Sequence, residues 1–193
     1  MEHASIASFA RLSLELMAVE APAELVACAH RAALDEVEHA RVCFSIASEL
    51  GHESRGPSAL SLEGLTIERD LAQIARRAAL EGCVGETVAA LALSRAASLC
   101  EDEALSERLA KMAEDELSHA TLAWKIVAWA CARGGERVRR AIADGFEITP
   151  YEAPTFDAEE ALAWNALGRL TRADLDDVTQ SAHALVRCPL MSI

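Results

Sequence analysis

Six residues of this chain have the types and spacing that could hold metal ions. The pattern Asp-Glu-x-x-His-Ala occurs twice, as Asp35-Glu36-Val37-Glu38-His39-Ala40 and as Asp115-Glu116-Leu117-Ser118-His119-Ala120. On a helix, residues i and i+3 share a face, so each copy presents one carboxylate and one imidazole in the same direction. Both groups are ligands for divalent first-row metals. Each copy also has a Glu on the helix expected to precede it, Glu2 and Glu86. Four carboxylates and two imidazoles converging inside a four-helix bundle would form a cage for two divalent ions.

A single Glu-x-x-His is ordinarily a polar pair on a solvated helix face. Here the pair is duplicated, lies centrally in two long helical patterns and is flanked by apolar residues on its own face. The upstream carboxylates follow from a level argument, since in an antiparallel hairpin residues equidistant from the turn stand at the same height. Around a turn near Asp102, Glu116 and His119 are level with about Glu86, which shares a stripe with Gly82 and Ala89; Glu81 lies off that stripe and is a second choice, as an extra ligand. Around Pro22, Glu36 and His39 are level with the first few residues, where Glu2 is the only carboxylate. Glu15 and Glu20 are too close to that turn. Asp35 and Asp115 lie four residues before each His, where a carboxylate can accept the proton of the non-ligating imidazole nitrogen and fix its tautomer.

The elements that must position these residues are helices. Ala, Leu, Arg and Glu dominate, and β-branched runs are almost absent, which predicts an all-α chain. Helix 1 is expected over about 2–20, with Ile6, Phe9, Leu12, Leu16 and Val19 on one face. Pro22 opens helix 2, which stops at Gly51. Residues 51–65, rich in Gly, Pro and Ser, suit a long crossover between two helical hairpins. Helix 3 is expected over about 66–100, and helix 4 from there to Gly134-Gly135. The first 133 residues thus read as one bundle carrying the metal site. Residues 134–193 read as a helical extension packed on it, with a contact between two copies of the chain as one role. That extension would comprise a short basic helix at 136–143, an extended stretch at 148–154, and helices at 158–167 and 171–186 capped by Asp157 and Thr171.

Composition narrows the partners. A formal net charge of −13 in 193 residues argues against nucleic acid or an anionic membrane surface. The six cysteines (Cys28, Cys43, Cys83, Cys100, Cys131, Cys188) include no C-x-x-C pair. Most fall on apolar helix faces, as small buried residues in a reducing, cytoplasmic compartment. No apolar run is long enough to span a membrane, and no signal peptide opens the chain.

At the duplicated Glu…Glu-x-x-His the chain resembles the ferritin-like di-iron carboxylate superfamily, over about residues 2–133. The stretches Glu2-His3-Ala4-Ser5 and Glu81-Gly82-Cys83-Val84-Gly85-Glu86-Thr87 look like those of bacterial ferritin-like domain proteins. The resemblance implies a left-handed four-helix bundle, two irons or sometimes manganese, and reaction with dioxygen or peroxide supported by an electron donor. Two ligand histidines bring the chain nearer to rubrerythrins and di-iron oxygenases than to storage ferritins. The paired C-x-x-C iron–sulfur module of classical rubrerythrins is absent, Met112 stands where N-oxygenases carry a third His, and Tyr151, the only tyrosine, lies outside the bundle. A non-catalytic, iron-handling bundle is the alternative. Because helix 1 begins at its ligand, in a turn prone to fraying, the chain is expected to be a shortened form of a protein whose helix 1 starts about two turns earlier.

Overall fold

The computed structural model describes residues 2–148 and 167–190, with the side chains of 2, 146–148 and 188 outside that description. The described residues are helical, with no strand among them. They fall into α1 (Glu2–Ala18), α2 (Ala23–Gly51), α3 (Leu71–Arg77), a π-helical segment (Ala78–Glu86), α4 (Thr87–Leu99), α5 (Glu103–Ile148) and α6 (Arg172–Leu190). None of these helices is long and apolar enough to cross a membrane. Of the stretch expected at 148–154, Ile148 ends α5, and 149–154 with Tyr151 lie outside the described residues, as do Asp157 and 158–166 of the helix expected at 158–167. The chain divides into two compact units, Met1–Asp70 and Leu71–Ile193.

Unit 1 is the α1/α2 hairpin and the connection that follows it. The helix read to residue 20 stops at Ala18 because the chain closes there in a Schellman turn. Glu20 takes the left-handed conformation (φ 58°), the Ala21 N–H donates to the Leu16 carbonyl at 2.9 Å, and the Glu20 N–H donates to that of Met17 at 3.3 Å. Pro22, extended at ψ 140°, then precedes the first turn of α2 rather than belonging to it. At the other end His52 (φ 52°), not Gly51, adopts the left-handed capping conformation. Phe9 and Leu16 on α1 and Leu25, Ala29 and Ala32 on α2 form the apolar part of the core. The open end of the hairpin is marked by the edge-on contact of His3 with Phe44, ring centroids 6.4 Å apart.

Unit 2 lays α3, the π segment and α4 antiparallel to α5. The turn between α4 and α5 is fixed by Asp102, whose carboxylate accepts the Leu105 N–H at 2.9 Å as an N-cap. The break read at Gly134-Gly135 is present, since α5 consists of two helical runs that meet at a non-helical Gly135. Gly135 sits at φ 58°, ψ −140°, a conformation that only glycine adopts without strain. Helix 3 differs most from expectation. Its start is Leu71 rather than 66, and nine residues in its middle wind as a π-helix. In consequence the buried face runs Ala75, Ala79, Cys83–Val84, while Gly82 and Glu86 are half-buried. The α-helical stripe assumed from sequence put Gly82 and Glu86 at its centre. Gly82 nevertheless faces α5, since a Cβ built on it would stand 2.4 Å from that of the buried Ala123.

Helix α6 packs on α4 and the π segment, with Val178, Ala182 and Val186 buried and an Arg95–Asp174 ion pair at 3.2 Å to α4. Its start is a capping box: the Asp174 N–H donates to Thr171 Oγ1 and the Thr171 N–H donates to the Asp174 carboxylate, both at 3.1 Å. The hydrogen bonds from Thr171, with Arg95 nearby, hold the Asp174 carboxyl below its ordinary 3.8. A lowered folded-state pKa stabilises the fold above the unfolded value and loses that contribution as pH falls through the folded one. Thr171→Ala should therefore cost about 1 kcal/mol at pH 7. The deficit should shrink below pH 4 in urea titrations; a deficit independent of pH would place the effect elsewhere.

Candidate metal centre

Each unit contributes one Glu-x-x-His pair, and in each the structure buries both members. Glu36 and His39 are 1% and 2% exposed, and Glu116 and His119 are each 3% exposed. The repeat extends to burial pattern: in both hexapeptides the Asp is half-buried, the Glu buried, the next two residues exposed, and His and Ala buried. Val37 and Leu117, the apolar residues of the pattern, face solvent while the ionisable ones are inside. That inversion is costly unless the buried charges are compensated. Within unit 2, Glu116 and His119 each offer a buried ligand atom to a cation.

Distances within each pair suit ligation of one ion. His119 Nδ1 lies 3.1 Å from Glu116 Oε2, and His39 Nδ1 lies 3.7 Å from Glu36 Oε1. Two ligand atoms about 2.1 Å from a common ion at roughly 90–110° stand ~3.0–3.4 Å apart, close to both values. In unit 2 the pair is within hydrogen-bond distance.

The upstream carboxylates are placed by their helices. On unit 2, a Cβ built on Gly82 would stand 2.4 Å from that of Ala123, which fixes the level of the π segment against α5. Moving four residues along the antiparallel pair brings Glu86 level with His119. Glu86 is half-buried and Glu81 exposed. On unit 1, the His3–Phe44 contact sets the first turn of α1 level with the turn of α2 just beyond His39. The backbone of Glu2 is in that turn, and its side chain lies outside the described part.

Asp35 and Asp115 are half-buried beside their Glu, and Asp115 pairs with Lys111 on its own helix. Cys83 is fully buried three residues before Glu86, and burial pushes its thiol up to about 12. Without a metal beside it, the thiol is therefore protonated at neutral pH. No disulfide joins the described cysteines. His30 and His52 are exposed and His3 and His183 half-buried.

One buried acid outside the ligand set was set aside in the sequence. Glu15 is 1% exposed, accepts the Glu68 N–H at 3.2 Å and lies 3.8 Å from Arg11 Nε. It tethers the far end of the 52–70 connection to α1. The i,i+4 spacing of Arg11 and Glu15 on a face next to Leu16 was its only local signal. No protein-family model matches the chain, and comparison with curated proteins and with solved structures returns no match.

Proposed function

We propose that the chain is a ferritin-like di-iron carboxylate oxidoreductase. In this reading the two hairpins form an antiparallel four-helix bundle joined by the 52–70 crossover. The ligands are Glu2, Glu36, His39, Glu86, Glu116 and His119, and the oxidant is dioxygen or peroxide. The supporting observation is the duplication of a Glu–His pair that is equally buried, and close to ligand spacing, in both units. A single buried pair could be a satisfied core polar group; two copies with matching burial call for a common cause. Bound iron would supply redox equivalents and a template for the oxidant.

The chain's own residues then have separate tasks. Carboxylates of Glu36 and Glu116 offset cationic charge in a dry interior, where that offset is strongest. Neutral imidazoles of His39 and His119 add ligands without adding charge, which keeps the site near balance. Glu86 is the half-buried ligand and marks the side from which solvent and oxidant approach. Manganese fits the same donor set. Phe and Tyr are sparse, with Tyr151 the one tyrosine, so no aromatic relay is invoked.

The alternative is a non-catalytic, iron-handling protein with the same ligands. Anaerobic loading with ferrous iron, then exposure to oxygen or peroxide with a reductant, separates the two. Fast oxidation of two irons per chain with reductant turnover is the expected result; stoichiometric binding without oxidation favours the alternative. The double variant His39→Ala/His119→Ala should bind only background metal. Two ions per chain retained in that variant would overturn the ligand set.

A further inference from the structure

We propose that Glu81 is the ligand through which metal is taken up into the unit 2 half-site, and that the π winding of Ala78–Glu86 sets it there. The inference rests on the metal reading above and concerns how the ion arrives rather than where it resides. Glu81 and Glu86 are five residues apart. In an α-helix that spacing puts two side chains about 140° apart, on different faces. In a π-helix the hydrogen bond itself runs from i+5 to i, so residues five apart come round to nearly the same side, one turn above each other. The nine π-helical residues begin and end so as to include both.

Burial falls into a series along this face. Glu81 is exposed, Glu86 half-buried, and Glu116 and His119, level with Glu86, are 3% exposed. The level is fixed by the Gly82–Ala123 approach. Gly85, between the two in sequence, is exposed and carries no side chain; a Cβ added there would meet only the Leu80 carbonyl, at 3.8 Å. A hydrated cation can therefore reach Glu81 without displacing a side chain at 85. An exposed carboxylate holds such an ion weakly and keeps it hydrated. Passing one turn along the same face exchanges water for Glu86 and then for the buried pair. Each exchange replaces one oxygen ligand by another, so no step leaves the ion bare. Winding the segment as an α-helix would turn Glu81 away and remove the first step.

Uptake of Co2+ alone by the full-length apo chain, followed by stopped-flow visible absorption, tests this. Glu81→Gln keeps the shape of the side chain and removes its charge. Uptake should slow roughly 10-fold, as expected for loss of a steering charge at the mouth of a site. Final stoichiometry, final spectrum and melting temperature of the loaded protein should match the wild type. Glu107→Gln, an exposed α5 carboxylate, loses the same charge and should load at the wild-type rate. An unchanged rate in Glu81→Gln, or equal slowing in Glu107→Gln, overturns the inference and leaves the metal reading standing. Lower stoichiometry or an altered final spectrum in Glu81→Gln also overturns it, because Glu81 would then be a resident ligand. A wild-type chain that takes up no Co2+ overturns the metal reading and this inference together.

Discussion

Stripping metal from the wild-type chain with a chelator is expected to lower its melting temperature by about 5–10 °C, and to leave the His39→Ala/His119→Ala variant unaffected. The size follows from linkage. A ligand that binds only the folded state stabilises it by about 2.7 kcal/mol at one hundred times its dissociation constant. For a chain of this length 1 kcal/mol corresponds to roughly 2–4 °C. The direction follows from burial, since Glu36 and Glu116 are 1% and 3% exposed. Carboxylates so placed are desolvated in the folded chain and hydrated in the unfolded one, so the apo fold carries their cost. The paired measurement matters more than either alone. Equal chelator sensitivity in both proteins would mean that metal stabilises the chain somewhere else. A wild type insensitive to chelator under loading conditions would show that these acids are buried for structural reasons.

Gly82→Val should be the most damaging single substitution in the π segment, costing about 2–3 kcal/mol and ~5–10 °C in melting temperature. Intrinsic helix propensity predicts the opposite sign, because replacing glycine within a helix ordinarily gains up to about 1 kcal/mol. Contact decides. The new Cβ would stand 2.4 Å from Ala123 Cβ and 3.7 Å from its Cα. A Cβ moves only with its backbone, so the π segment and α5 must separate. The same displacement moves Glu86 away from the level of His119, so metal content should fall with stability. Ala123→Gly added to Gly82→Ala should restore much of both, because it removes the opposing atom. Valine at Gly56, where nothing lies within 4 Å, controls for the general effect of the exchange. A Gly82→Val protein as stable as wild type would mean that the two helices are less tightly apposed than the structure has them.

What the sequence made legible was periodic. The apolar spacing on α2 and α5 located Glu36, His39, Glu116 and His119 among buried residues, and burial follows that spacing from Leu25 to Ala40 and from Met112 to Cys131. Such faces can be read because a 3.6-residue period leaves a trace in every turn. The features that escaped were local exceptions to that period. The π winding is absent from the composition of Ala78–Glu86, whose small residues suit an α-helix equally well, so the half-burial of Gly82 and Glu86 was not foreseen. Glu20 and His52 take left-handed conformations usually given to glycine, so the helix ends shifted by one or two residues. Glu15 was weighed only as a metal ligand, and its partner, the backbone at Glu68, is 53 residues away. Hydrogen bonds of that range leave no mark on the local pattern.

A π turn has one residue more in each hydrogen-bonded loop than an α turn, so it can be regarded as an α-helix that has absorbed an insertion. In this chain the excess lies between the start of α3 and Glu86, while α1 and α2 of the other hairpin contain no such segment. Register between the halves is lost elsewhere, because Glu2 stands 34 residues before Glu36 and Glu86 only 30 before Glu116. Comparison of the two hairpins should thus begin from the paired histidines and place its gap between the upstream Glu and the pair, at the turns that join the helices.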